Sequence, residues 1–160
     1  RDAARMRGRS ALAVDCPRRI RHALEVRHPS FADPACLRLL RRHRVALVVA
    51  DTAGKFPYLE DVTSDFLYLR LHGDARLYAS GYGDAALRRW AQRIEAWSGG
   101  GEPADAMRAG PKAARRARRD VYAYFDNDLK VHAPFDAQRL SRQLGLQADW
   151  PPDEADPGDG

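Results

Sequence analysis

The sequence predicts an α/β fold built on a parallel sheet. Short apolar runs alternate with segments of helical period, the second run is apolar throughout, and the helical segments are punctuated by capping residues and glycines. At 160 residues the chain fits one ordinary domain.

The elements follow in order. Residues 22–28, HALEVRH, read as a first strand ended by Pro29, which biases the residue before it towards extended geometry. In DPACLRLLRRH, Asp33 is an N-cap and Pro34 takes the first helical position. Cys36, Leu37 and Leu40 form the buried stripe of that helix. VALVVADT, from residue 45, is a continuous apolar run of the kind a strand covered on both faces requires. AGKFPYLEDVTS then reads as a loop, with Gly54 and Pro57 as punctuation. FLYLRLHG, residues 66–73, is the third strand.

Asp84 caps the next helix, in which Leu87, Trp90, Ala91, Ile94 and Trp97 recur at helical spacing before Gly99 closes it. Residues 99–119 look like an insertion: a mobile, basic surface loop with a short helix expected in KAARRARR. DVYAYFDND is the fourth strand. FDAQRLSRQLG is the last helix, with Asp136 as N-cap, Leu140 and Leu144 inward and Gly145 past its end. Residues 1–19 are poorly defined, and 148–160 are acidic, proline-rich and expected to be disordered. Four strands are too few for a closed eight-stranded barrel of ~250 residues. The residues alone leave a small open sheet or part of something larger.

Charge and cysteines bound the function. The net charge is +5, but 24 of the 27 basic residues are arginine, which reads as compositional bias more than as a selected nucleic-acid face. Nucleic acid is therefore a disfavoured partner. The apolar runs fall short of the ~20 residues that span a bilayer, and the first residues show no secretory signal. Cys16 and Cys36 have no metal-ligand spacing and suit reduced thiols, so a cytoplasmic location is expected.

The candidate site lies at the strand carboxyl ends, where parallel α/β folds collect functional groups. Those ends carry Glu25, Arg27 and His28, then Asp51 and Thr52, then Arg70 and His72, then Asp126, Asn127 and Asp128. Charged residues flank most strands simply because strands end at the surface. Four rims out of four make the stronger pattern of a polar pocket. Glu25, Asp51 and Asp126 are candidate acids or bases, and His28 or His72 a proton shuttle. Arg27 and Arg70 offer forked donors to an anion. His132 sits on the approach to the last helix, within reach of the rim, whereas His22 and His43 read as surface residues. Tyr58, Tyr78 and Tyr82 offer ring faces to a sugar-like ligand, although covering loops is the commoner role of such residues. No cofactor is expected. A divalent metal on Glu, Asp and His is the alternative, and two arginines at the same rim argue against it.

EVRHPSF, ALVVADTAGKFPYLEDVTSDFLYLRLHG, YASGY and DVYAYFDND with the following HAP together resemble the YecE-like family, domain of unknown function 72. The resemblance covers roughly residues 20–145 and implies a TIM-barrel-like (β/α) architecture of no established activity. It implies that Glu25, Arg27, His28, Asp51, Arg70, His72, Asp126 and Asn127 belong to the family's rim cluster. The glycine-rich opening strand and W-x-Y element of the family have no counterpart here. Residues 20–147 thus resemble the carboxyl-terminal part of such a barrel, about four βα units. That implies a homodimer, or docking with a missing barrel half. The expectation is an ancestral enzyme for a small anionic or sugar-like substrate, with Tyr58, Tyr82 and Asn127 beside the arginines. The alternative is a small-anion or nucleic-acid binding module without catalysis, the latter through residues 108–119.

Overall fold

The computed structural model describes residues 16, 18–74, 80–127 and 131–146. Four parallel strands, β1 (His22–Leu24), β2 (Val45–Asp51), β3 (Phe66–Leu71) and β4 (Asp120–Phe125), lie side by side in chain order. Three helices, α1 (Pro34–His43), α2 (Asp84–Ser98) and α3 (His132–Gln143), follow β1, β3 and β4. This is the expected α/β architecture of consecutive βα units.

Strand parity divides the sheet into two faces. Leu47, Val49, Leu67, Leu69 and Leu71 face the helices, and the larger core joins the last four of these positions' neighbours Leu87, Trp90, Ile94 and Trp97 of α2 with Leu140 of α3. A smaller core gathers Val26, Leu37, Leu40, Leu47 and Leu59 beneath α1. On the opposite face Ala23, Val48, Phe66, Tyr68, Arg70, Tyr122 and Tyr124 line an open cavity of about 510 Å³.

β1 is shorter than its sequence suggests. Only His22, Ala23 and Leu24 pair with β2, and the chain leaves the ladder at Glu25. Val26 is still buried, but against α1 rather than in a sheet. Pro29 then opens a single 3-10 turn capped by His28, whose Nδ1 accepts from the Ser30 backbone N–H.

α1 begins as expected. Asp33 accepts from the Ala35 N–H at 2.6 Å and Pro34 leads the helix. α2 buries the expected stripe, yet Gly83 is its N-cap and Asp84 its first helical residue. The Asp84 carboxylate pairs with Arg139 instead of capping. At the other end Gly99 stays at φ −73°, and Gly100 takes the left-handed conformation at φ +77°.

α3 starts four residues before Asp136. Pro134 fits the first turn, where a missing N–H costs nothing, so the helix extends back to His132 and carries Asp136 inside it, 2% exposed. Leu140 is buried and Gly145 follows the helix at φ +66°, both as expected.

No helix forms in residues 112–119. That segment instead runs back along the end of α2: Arg116 N–H bonds Gly100 O, and Arg119 N–H bonds Ser98 O. The β2–β3 connection is also without a helix, and these two irregular segments brace each other. Asp61, 1% exposed, accepts from the Ala109 and Gly110 N–H groups at 2.8 and 3.0 Å. Glu60, fully buried, accepts from Met107 N–H and holds Arg93 at 2.8 Å. Buried backbone donors need partners, and in this layer carboxylates supply what a helix would otherwise provide.

Candidate functional site

Arg70 is at the centre of the carboxyl-end rim. Its position on β3 has the parity of the open face, and its guanidinium forks between two carboxylates that follow β1 and β4 directly. Nη1 donates to Glu25 Oε2 at 2.8 Å, and Nη2 donates to Asp126. Glu25 also receives Arg27 Nε at 2.9 Å. Arg27 in turn lies 5.1 Å over the Phe56 ring. Burial alone would push the Glu25 carboxyl up, but Arg70 and Arg27 bonding to it hold it below the ordinary carboxylate range.

His72 extends the cluster. It is 1% exposed, and its Nδ1 lies 3.1 Å from Asp126 Oδ2, in electrostatic contact but off the line of a good hydrogen bond. Burial lowers its pKa first and the Arg70 charge lowers it further, against the opposite pull of Asp126. The imidazole is therefore neutral at pH 7. Glu25, Arg27, Arg70, His72 and Asp126 thus form one connected group.

The other candidates lie elsewhere. His28 is exposed and caps its turn. Asp51 has the parity of Val49 and turns towards the helix layer, where Tyr82 Oη donates to it at 3.1 Å. Burial raises its pKa, and the Tyr82 hydroxyl only partly counters that. Tyr82 is 1% exposed, edge-on to Phe125, and its hydroxyl accepts from Gly73 N–H, so it has no ring face to offer a ligand. Tyr58 packs edge-on against Trp90 in the core. Asn127 is fully buried and donates to Ser80 O and to Asp136 Oδ2. His132 is buried beside Gly81 and lines a different cavity with Asp136. Tyr78 and Asp128 lie outside the described residues. His22 and His43 are exposed, as expected.

Two sets of residues escaped the sequence reading. Tyr68 and Tyr124 stack at 5.0 Å on the open face, with Tyr122 beside them under Arg21. Their signal was present: they share the parity of Arg70 along β3 and β4. Asp136 joins Tyr82 N–H and Asn127 into a buried network, a role that only the tertiary fold reveals. Among the described residues, no three His, Cys, Asp or Glu side chains converge to hold a metal ion. No helix among them is long and apolar enough to cross a membrane.

Comparisons with known proteins agree with this geometry. The chain resembles the crystal structure of a DUF72 family protein from Thermotoga maritima, with a TM-score of 0.62 and 24% identity over 79% of this chain and 46% of that one. A DUF72 family protein from Enterococcus faecalis matches with a TM-score of 0.63 and 17% identity over 86% of this chain and 52% of that one. The chain therefore spans about half the length of these solved relatives. No curated protein matches the sequence. The three βα units, with the helix-less β2 between the first and second, are a TIM-barrel-like architecture in part. A family model described as "Protein of unknown function DUF72" matches residues 4–158, and the chain belongs to that family.

Proposed function

We propose that Glu25, Arg70, His72 and Asp126 form an acid/base site for a small, hydroxyl-rich, sugar-like substrate. The observation that carries this reading is the forked Arg70, spanning carboxylates just past the ends of β1 and β4 beside a buried imidazole. Both arginines are already matched by carboxylates. An anion would have to displace Glu25 or Asp126 to reach them, whereas a sugar can donate to the carboxylates and accept from the guanidinium. Of the two expected substrate classes, the balance of charge favours the sugar-like one.

In this reading His72 is the base. Burial and Arg70 keep it unprotonated at neutral pH, which a base requires. Asp126 stabilises the imidazolium that forms once a substrate proton is taken. The stacked Tyr68 and Tyr124 supply an apolar surface near the cluster. Residues 20–147 act as the carboxyl-terminal part of a barrel whose full activity draws on a partner half.

The test is an NMR titration with glucose, ribose and gluconate. The expected result is that at least one sugar shifts the His72 ring signals and that Glu25→Gln abolishes the response. Perturbation by gluconate alone would assign the site to anions. Silence from all three probes would overturn the site.

A further inference from the structure

The strands share a second end, at their amino termini, and it is lined by an excess of positive charge. Arg44, Asp65 and Arg119 stand immediately before β2, β3 and β4, and Arg19 lies just ahead of β1. With Arg41, Lys112 and Arg116 they line a cleft of about 430 Å³. Six cations thus face one carboxylate.

Two of the six are structural. Arg41 donates to Val62 O and Pro111 O, and Arg119 donates to Gly101 O and Ala114 O. Neither forms an ion pair with a described carboxylate, although Arg119 feels the Glu102 charge. Arg119 is 4% exposed, with its Nε buried and lacking a hydrogen-bond partner. Glu102, the acid of that layer, is engaged by Ala113 N–H and Arg108. Asp65 lies 3.8 Å from Arg19. Arg44, Lys112 and Arg116 are exposed and make no ion pair with another described residue. Arg44 also sits at φ +53°, in the left-handed region that favours glycine. A concave site of one charge sign focuses potential and concentrates anions.

The size and lining indicate what would enter. The apolar part is Val62, Ala113 and Ala114, with no aromatic ring. Sites for single-stranded nucleic acid stack bases on aromatic side chains. The volume is at the lower end of the range for small ligands, about 300–1,000 Å³. We propose that this cleft binds a compact anion bearing at least two phosphate-type charges, of the diphosphate class. The proposal is independent of the rim site, which lies at the other end of the strands.

The test is calorimetry with inorganic pyrophosphate at low salt, on the wild type, on Glu25→Gln and on the triple variant Arg44→Gly, Lys112→Gln, Arg116→Gln. All three cleft substitutions are at exposed positions, and glycine suits the backbone at 44, so the triple variant should fold. A circular dichroism melt confirms that it does. The expected result is binding tighter than about 1 mM, weakened at least about tenfold in the triple variant, unchanged in Glu25→Gln and reduced by added salt. Absence of binding at that concentration, or equal binding by the triple variant, would overturn the proposal. So would a short single-stranded oligonucleotide that binds tighter than pyrophosphate and competes with it, because the cleft would then read a nucleic-acid backbone.

Discussion

Arg70 holds two carboxylates in one place, so its removal acts on both. Arg70→Met leaves Glu25 with only Arg27 and leaves Asp126 without its cation. Arg70 is 30% exposed, which puts the cost between that of a surface pair and a buried one, about 1–3 kcal/mol. The pH dependence has a definite sign. Glu25 is lowered in the fold, so its contribution is present above the ordinary value of 4.5 and is lost as pH falls through the native value. The gap between wild type and Arg70→Met should therefore shrink in acid. His72 works separately. Its native pKa lies below the ordinary 6.5, so the unfolded chain takes up a proton that the native state refuses, and stability falls as pH drops below 6.5. Without the Arg70 charge, the His72 titration followed by NMR should move up. An unchanged or lower His72 pKa would show that Arg70 does not set it.

At the scale of elements, two glycines separate backbone strain from crowding. Gly54 and Gly100 both have positive φ, +79° and +77°. A Cβ on Gly54 meets nothing within 4 Å, but on Gly100 it would lie 1.8 Å from Arg116 O. Gly54→Ala should cost about 1 kcal/mol, the left-handed penalty alone. Gly100→Ala should cost well over about 2 kcal/mol, because the return segment must detach from the end of α2. Urea midpoints give both values, and equal losses would refute the crowding argument. Asp61→Ala should behave like Gly100→Ala: with Ala109 and Gly110 N–H left without an acceptor, about 2–4 kcal/mol is lost. Hydrogen exchange at those two amides should accelerate, and slow exchange there would refute the brace. These elements also mark what the sequence could show. α1 and the buried stripe of α2 were legible because caps and helical period are local signals. The start of α3 was not, because Pro134 suits a first turn as well as a loop. The rim cluster is legible for Glu25, Arg27, Arg70, His72 and Asp126 because each stands at the carboxyl end of an apolar run. Asp51 reads as a rim residue because it ends a strand, and Tyr58 and Tyr82 read as loop aromatics. Their packing is decided by distant segments, Tyr82 for Asp51, Trp90 for Tyr58, and Phe125 with Asp136 for Tyr82.

At the scale of the whole molecule, one face and two edges of the sheet are left open by the described residues. Among the described residues β1 and β4 each pair on one side only, and Leu24, Tyr122 and Tyr124 are 41%, 37% and 52% exposed. Unpaired strand edges promote association. All four strands are parallel, so a twofold axis along the strands would set β4 of one copy beside β1 of the other at both seams. Two copies would then supply eight strands, the number in a closed barrel whose interior is packed with side chains. The solved relatives, which this chain covers only to about half of their length, contain more sequence for that closure within one polypeptide. The 160-residue chain should therefore sediment as a dimer at physiological salt, where the charge of +5 on each copy is largely screened. Tyr122→Lys with Tyr124→Lys places two cations on the face that closure would bury, at positions exposed in a single copy. This double variant should sediment as a monomer with an unchanged circular dichroism spectrum. A monomeric wild type would mean that the open face waits for a different partner. A dimer that survives both lysines would mean that the copies meet somewhere other than this face.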